Sequence, residues 1–238
     1  MPYFTAKLIE RIPRTPSVET FRFLPERGRV AFRPGQFTAA LFDPENRKNR
    51  DLNKYLSFSS SPQRDYFDVT KRLSESSFSG RLRQLQPGGC VQFDGPFGTC
   101  VFQDEFREIA FIVGGIGITP VISMLEYLGD RNLKPDAVLL YSNRFVEEIA
   151  FRAELTAWDA QWENLRVVHM MTQCRPRDFA CIHGYLDLAV LQKEVADCRR
   201  RQVFIFGPPT MVAAMKSICQ EAGCPADLLK TEMFTGYE

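Results

Sequence analysis

The hydrophobic pattern of the chain changes near its middle, and this change limits the possible fold more than any other feature. Up to about residue 102, apolar and polar residues alternate in short segments such as VETFRFL, YFDVTKRL and CVQFDG. Turn-forming runs separate these segments, among them Pro34-Gly35, Pro87-Gly88-Gly89 and GPFG at 95–98. Short alternating strands with frequent turn signals predict an antiparallel β-barrel or sandwich.

From residue 109 onward, continuous apolar runs alternate with amphipathic segments. IAFIVGG precedes PVISMLEYL, AVLLY precedes EEIAFRAELTAW, LRVVHMM precedes LAVLQKEVA, and QVFIFG precedes PTMVAAMKSICQ. Apolar strands that alternate with helices predict a parallel sheet with helices on both faces. We therefore expect a two-domain α/β protein, with an antiparallel β-barrel over residues 1–104 and a Rossmann-like parallel α/β domain over residues 105–238.

Composition and charge argue against several other classes of protein. The chain has 238 residues and a formal net charge of +1, which argues weakly against nucleic acid as the main partner. No apolar run reaches the roughly 18 residues of a membrane span, so we expect no membrane insertion. The first residues, MPYFTAKLIERIPRTP, lack the apolar core of a signal peptide, which predicts a cytoplasmic protein.

The cysteines and histidines do not predict a metal centre. The seven cysteines form no C-x-x-C pair, and their spacing does not match that of an iron–sulfur site. Of the two histidines, His169 lies in an apolar strand and His183 lies in a loop beside Gly184. Two histidines in these positions do not suggest a metal site. We expect reduced thiols, structural histidines and no bound metal.

Two glycine-containing turns follow strands of the predicted sheet. Gly114-Gly115-Ile116-Gly117 ends one apolar strand, and Gly207-Pro208-Pro209 ends another. Glycine lets a backbone approach a ligand closely, and the N-terminus of the helix that follows attracts phosphate. Pro120 suits the first turn of such a helix. Because carboxyl ends of parallel strands meet at one edge, the turns predict a dinucleotide site, although tight strand-to-helix packing would explain either turn alone.

The order of the motifs resembles that of the ferredoxin–NADP reductase superfamily, in which a FAD-binding barrel precedes an NAD(P)-binding domain. The resemblance implies a single-chain member without an iron–sulfur domain, in which hydride passes between nicotinamide C4 and flavin N5. The elements that carry it are RPGQF at 33–37, KYLSFSSSP at 54–62, FSGRL at 78–82, GPFG at 95–98, GGIGITP at 114–120, FGPPTM at 206–211 and EMFTGYE at 232–238.

The resemblance implies roles for residues that would contact the flavin. Ser57 would be a catalytic residue beside flavin N5, and Lys54 would hold the pyrophosphate with a point charge where the family has an arginine. Leu56 would stand in place of the tyrosine that stacks on the isoalloxazine. Tyr237, the second catalytic candidate, would cover the flavin face that lacks a tyrosine, unless it is only a terminal aromatic residue. The other implied flavin contacts are Tyr55, Val69, Thr70, Lys71 and Ser79.

The resemblance also implies which residues bind NAD(P)H. An arginine such as Arg144 can accept the 2′-phosphate of NADPH, but Tyr185 stands where NADPH-using members often have a basic residue, so the sequence leaves NADH and NADPH open. FAD, rather than FMN, follows from the resemblance alone. The implied coenzyme contacts are Gly115, Gly117, Thr119, Pro120, Ser142, Arg144, Gly207, Pro208 and Pro209.

The implied function is therefore that of a flavin-dependent NAD(P)H oxidoreductase. Its electrons would go to a small carrier protein of the ferredoxin or flavodoxin type, for which the basic run NRKNRD at 46–51 is a candidate docking segment or simply a solvated loop. One alternative is a reductase of free flavin or of another small molecule. A second alternative is a non-autonomous electron-transfer subunit of a larger complex.

Overall fold

The computed structural model describes residues Tyr3–Phe234, which form two compact units. The first unit contains the chain up to Phe102 together with Thr119–Asn132, and the second contains Gln103–Ile118 and the chain from Leu133 onward. The boundary expected after residue 104 therefore lies close to the first change of unit. The helix expected to belong to the α/β half, however, groups with the barrel.

The first unit is built on six antiparallel strands in the order β4-β3-β6-β1-β2-β5. The two outermost strands also meet, because Phe58 forms a β-bridge with Val69 and the Ser59 N–H donates to the Asp68 carbonyl at 2.8 Å. The barrel expected from the alternating pattern is therefore confirmed. Its strands are β1 (Phe4–Pro13), β2 (Val18–Pro25), β3 (Phe37–Leu41), β4 (Asn53–Ser57), β5 (Phe67–Arg72) and β6 (Cys90–Phe97).

Aromatic side chains fill the barrel. The rings of Phe23 and Phe67 each lie 5.0 Å from the ring of Phe93, both edge-on. Helix α1 (Ser77–Gln84) adds Phe78 and Leu82 to this core. Helix α2 (Thr119–Asp130) completes the unit. The burial of large apolar surfaces by these rings is the main stabilising contribution to the barrel.

The second unit contains a six-stranded parallel sheet in the order β10-β9-β8-β7-β11-β12, as expected. Side chains of α4 and α5 cover one face of this sheet. The short strand β10 and the amphipathic strand β12 were not predicted. The elements are β7 (Glu108–Gly114), β8 (Asp136–Asn143), α3 (Arg152–Gln161), β9 (Leu165–Met171), β10 (Ile182–His183), α4 (Leu188–Glu194), β11 (Gln202–Gly207), α5 (Pro209–Glu221) and β12 (Leu229–Met233).

The buried guanidinium of Arg201 ties together the amino ends of three strands. It donates to the carboxylates of Asp197 at 2.6 Å and Asp136 at 2.8 Å. It also donates to the carbonyls of Ile109 at 3.2 Å and Asp136 at 2.9 Å. Since these bonds fix β7, β8 and β11 at one edge of the sheet, the positions of their carboxyl ends are fixed as well.

No helix between residues 3 and 234 is long and apolar enough to cross a membrane. Over the same residues, no group of three or more histidine, cysteine or acidic side chains is arranged to hold a metal ion.

Candidate functional site

The first glycine turn continues directly from β7. Residues Gly115–Ile118 form a short 3-10 turn, after which α2 begins at Thr119. Gly115 has a φ of +52°, and a Cβ added there would meet no atom of residues 3–234 within 4 Å. Its backbone therefore faces open space, as a close approach to a ligand requires. Thr119 and Pro120 form the first turn of α2, and both are buried.

The second glycine turn lies against the first. A Cβ added at Gly117 would lie 2.6 Å from the Phe206 carbonyl oxygen and 3.0 Å from the Gly207 nitrogen. Pro208 is the N-cap of α5, and Pro209 is the first residue of that helix. The two turns expected to share one sheet edge therefore do so, and the contact between them leaves no room for a side chain at Gly117.

Asn143, the last residue of β8, marks a polar position beside these turns. It is 4 % exposed, and neither its Oδ1 nor its Nδ2 has a hydrogen-bond partner among the described residues. A buried amide without partners is costly, so this position fits a polar ligand group. Tyr141, two residues earlier on the strand, donates its hydroxyl to the Gly115 carbonyl at 3.1 Å. The predicted residues Ser142 and Arg144 flank Asn143, one half-buried and the other exposed.

Glu232 is a half-buried acidic residue of this unit, and the sequence predicts no role for it. It lies on β12 opposite Phe206 of β11, one residue before the end of both strands. Burial raises the pKa of its carboxyl to about 7. A carboxyl that changes charge near neutral pH is therefore present at the same end of the sheet as the second glycine turn.

We expect Glu232→Gln to stabilise the protein at pH 8 by about 1–2 kcal/mol and to have little effect at pH 5. The unfolded chain releases this proton near pH 4.5 and the folded protein near pH 7, so stability falls as pH rises between these values. Urea denaturation at both pH values measures the difference. The exposed residue Glu163, changed to Gln, is the control. Equal effects of Glu232→Gln at the two pH values would contradict the expectation.

In the first unit, strand alternation divides the residues of β4 between two faces. Leu56 lies in the core of the barrel with Phe58, so Ser57 and Tyr55 point to the opposite face. Ser57 is buried, whereas Tyr55 is 69 % exposed. The Tyr55 ring packs edge-on against Phe37, with a centroid distance of 5.5 Å. Leu56, expected to face the flavin, therefore packs into the barrel core, and the exposed aromatic ring on the opposite face of β4 is that of Tyr55.

Lys71 of β5 is a nearly buried cation, at 5 % exposed. Burial and the positive charge of nearby Lys54 lower the pKa of Lys71 to about 8. The Lys71 Nζ lies 6.0 Å from the centre of the Phe78 ring, which belongs to the first turn of α1. Lys71 therefore places a cation near the first turn of α1, and Lys54 adds a second positive charge close to Lys71; this part of the barrel suits the pyrophosphate of a dinucleotide.

The side chains of the remaining residues predicted to contact flavin pack against, or are hydrogen-bonded to, other residues of the first unit. Val69 packs in the core, and the Thr70 hydroxyl is hydrogen-bonded to those of Thr20 and Ser59, both at 2.7 Å. The wholly buried Ser79 hydroxyl accepts a hydrogen bond from the Ser74 N–H at 3.1 Å. The contact predicted for Val69 therefore stays a prediction, and with its side chain in the core only its backbone is available for it. Tyr237 lies outside the described residues.

Comparison with known proteins gives one family match and many relatives. Residues 111–217 match the model of the oxidoreductase NAD-binding domain. The glycine betaine monooxygenase reductase subunit of Pseudomonas aeruginosa (strain PAO1) is 28% identical over 96% of this chain and 63% of its own length. An NADPH oxidoreductase of Mycobacterium tuberculosis is 33% identical over 70% of this chain and 42% of its own length. The chain thus spans less than two thirds of the length of these relatives.

Solved structures with the same fold cover almost the whole chain. A ferredoxin NADP+ reductase from Neisseria gonorrhoeae, solved with bound FAD and NADP, has a TM-score of 0.81 and 19% identity, covering 98% of this chain and 99% of its own. The flavohem-like FAD/NAD binding domain of the Vibrio cholerae nitric oxide dioxygenase has a TM-score of 0.83 and 18% identity, covering 97% and 98%. At these identities the likeness establishes the fold.

Proposed function

We propose that this chain is a FAD-dependent oxidoreductase of the ferredoxin–NADP reductase superfamily and that it takes hydride from NAD(P)H; the match to the oxidoreductase NAD-binding domain and the shared two-domain fold support this. The observation that carries the proposal is the contact between the two glycine turns, with Gly117 against Phe206 and an open backbone at Gly115. A strand-to-helix turn of this kind, next to a buried amide without partners, suits the polar groups of a dinucleotide.

Residues of both units bind and orient the two cofactors in this proposal. Lys54 and Lys71 hold the flavin diphosphate, since an anion relieves the repulsion between two nearby ammonium groups. Tyr55 supplies an aromatic surface for the flavin ring, and the small Ser57 hydroxyl donates a hydrogen bond to the ring edge. The backbone at Gly115 and the amide of Asn143 bind the coenzyme. When bound, FAD supplies the hydride acceptor and divides two electrons into single steps.

The electron acceptor is proposed from the relatives. Several of them are named as reductase components of oxygenases, among them terephthalate 1,2-dioxygenase reductase component 1 of Comamonas sp., 24% identical over 97% of this chain. We therefore propose a protein acceptor, either a small iron–sulfur carrier such as ferredoxin or an oxygenase component. Reduction of free flavin or of another small molecule is the second candidate.

Absorption spectroscopy of the purified protein tests the proposal. We expect a yellow protein with flavin absorption that NADH or NADPH bleaches under anaerobic conditions. Comparing the two coenzymes at equal concentration determines the preference. Steady-state rates with ferredoxin, flavodoxin and free flavin then separate the two classes of acceptor. A colourless chain that neither takes up FAD nor oxidises either coenzyme would refute the function.

We expect Ser57→Ala to slow flavin reduction by NAD(P)H about tenfold to hundredfold, while FAD stays bound. The substitution removes one hydrogen-bond donor at the ring edge, and loss of a single donor to a reacting group has effects of this order or larger. Anaerobic stopped-flow measurement of flavin bleaching gives the rate. Ser217→Ala, on the exposed side of α5, is the matched control. Equal rates for the two variants would exclude this role of Ser57.

A further inference from the structure

One face of α2 is hydrogen-bonded to the turn that follows β4. Ser123 Oγ donates to the Ser60 carbonyl at 2.7 Å, and the backbone N–H of Ser61 donates to Glu126 Oε2 at 2.9 Å. One turn further, Arg64 forms an ion pair with Asp130 at 2.9 Å. Positions 123, 126 and 130 lie on the same side of the helix, so the contacts form one continuous polar seam within the first unit.

The seam joins two segments that the proposed function uses. Ser60 and Ser61 follow Ser57 by three and four residues in KYLSFSSSP. Ser123 follows Thr119, where α2 continues from the glycine turn, by four residues. The proposed flavin-binding segment is therefore hydrogen-bonded to the helix that begins at the proposed coenzyme turn. A shift of the Ser60–Ser61 backbone would change the position of Ser57, because only a few residues separate them.

We propose that Glu126 is a positioning residue, whose carboxylate holds the Ser57–Ser61 segment through the Ser61 N–H in the conformation that flavin reduction requires. This inference rests on the proposed function. Glu126 does not need to touch either cofactor. Its effect is transmitted through the backbone of the flavin-binding segment.

The charge state of Glu126 controls how firmly this contact holds. Burial raises the pKa of Glu126 to about 6, and the neighbouring carboxylates of Asp68 on β5 and Asp130 on α2 add to the effect. The Ser61 N–H and the guanidinium of Arg64 act in the opposite direction. Tyr66, in the same turn as Arg64, also faces Glu126.

An ionised carboxylate accepts a stronger hydrogen bond than a protonated one. The Glu126–Ser61 contact is therefore strong at pH 7.5 and weakens as the pH falls through about 6. The amide in Glu126→Gln keeps an acceptor oxygen but has no charge to lose, whereas Glu126→Ala keeps no acceptor. The pair of substitutions separates the charge from the hydrogen bond.

Hydrogen exchange of the Ser61 amide in the full chain without cofactors measures the contact directly. For the wild type we expect the protection factor to fall about threefold to tenfold between pH 7.5 and pH 5.0. Glu126→Gln should give an intermediate protection factor that does not vary with pH. In Glu126→Ala the protection factor at pH 7.5 should be at least about tenfold lower than in the wild type. Glu221→Gln, at the exposed end of α5, should behave like the wild type. A flat wild-type profile would overturn the proposal.

Flavin reduction gives the second readout. The wild-type rate should fall with an ionisation near pH 6, and Glu126→Gln should lack this ionisation. Ser123→Ala removes the other bond of the seam and should keep the pH dependence, so the test survives if Glu126→Ala does not fold. Identical pH profiles for the wild type and Glu126→Gln would also overturn the proposal. A chain that binds no flavin would refute the proposed function instead, while the exchange data would still report on Glu126.

Discussion

Replacement of Gly117 by alanine is expected to weaken NAD(P)H binding at least about tenfold and to destabilise the protein by about 1–3 kcal/mol. The new methyl group would lie 2.6 Å from the Phe206 carbonyl oxygen and 2.8 Å from its carbon. Both are backbone atoms, which cannot rotate away as a flexible side chain can. The strand end at Phe206 or the turn itself must move, and the two glycine turns would separate. Thermal unfolding and a coenzyme titration followed by fluorescence measure the two effects.

Gly115→Ala is the matched comparison, because the same methyl group there meets no atom of the described part of the chain within 4 Å. Its positive φ makes alanine strained by roughly 1 kcal/mol, so we expect a small loss of stability. Binding should still weaken, since the methyl group enters the space beside the backbone that the coenzyme would occupy. If Gly117→Ala has the unfolding temperature of the wild type, the packing argument fails. If Gly115→Ala binds the coenzyme normally, the open backbone is not part of the site.

Replacement of Lys71 by methionine is expected to raise the stability of the protein without flavin and to lower its affinity for FAD. Burial and Lys54 lower the pKa of Lys71 from 10.5 to about 8, so the charged form at pH 7 destabilises the folded state. Methionine should stabilise the protein without flavin by roughly 1–3 kcal/mol. Loss of a charged hydrogen bond to phosphate should weaken FAD binding about tenfold to hundredfold.

The same lysine predicts a pH dependence in the wild type. Between about pH 8 and pH 10.5 the unfolded chain binds more protons at this site than the folded protein, so stability without flavin rises with pH in that range. FAD affinity should fall over the same range, because the neutral amine no longer pairs with phosphate. Fluorescence titrations of FAD between pH 7 and pH 10 measure this. Lys48→Met, in an exposed loop, is the control, and a Lys71→Met protein with wild-type FAD affinity would contradict the assignment.

The general architecture could be predicted because it depends on local periodicity. Alternation at Phe21 and Phe23, or at Phe67 and Val69, is visible within a few residues, and the continuous run ending at Gly114 marks a buried parallel strand. The orientation of β4 was also present in the sequence, since Leu56 and Phe58 share one face. The motif resemblance places Leu56 where the family has a tyrosine, whereas strand alternation groups it with Phe58 on the core face.

The missed residues depend on contacts that a single sequence does not contain. Asn143 reads as the polar end of a strand, and only the packed fold leaves its amide buried without partners among the described residues. Glu232 lies on an amphipathic strand whose burial depends on its position beside β11. Glu126 looks like the polar side of a helix until the turn at Ser61 is brought next to it. In each case the informative quantity is the environment of a polar atom.

The membership of α2 in the first unit has a practical consequence for dissecting the protein. The chain passes between the units after Phe102, Ile118 and Asn132, so neither unit is a continuous piece of sequence. A fragment ending near residue 104 would contain all six barrel strands but not helix α2. The Ser60 carbonyl and the Ser61 N–H would then lose their hydrogen bonds to that helix and be exposed to solvent. We therefore do not expect the two halves of the chain to reproduce the two units when they are expressed separately. The smallest fragment that contains the whole first unit is the barrel with segment 119–132 attached through a designed linker.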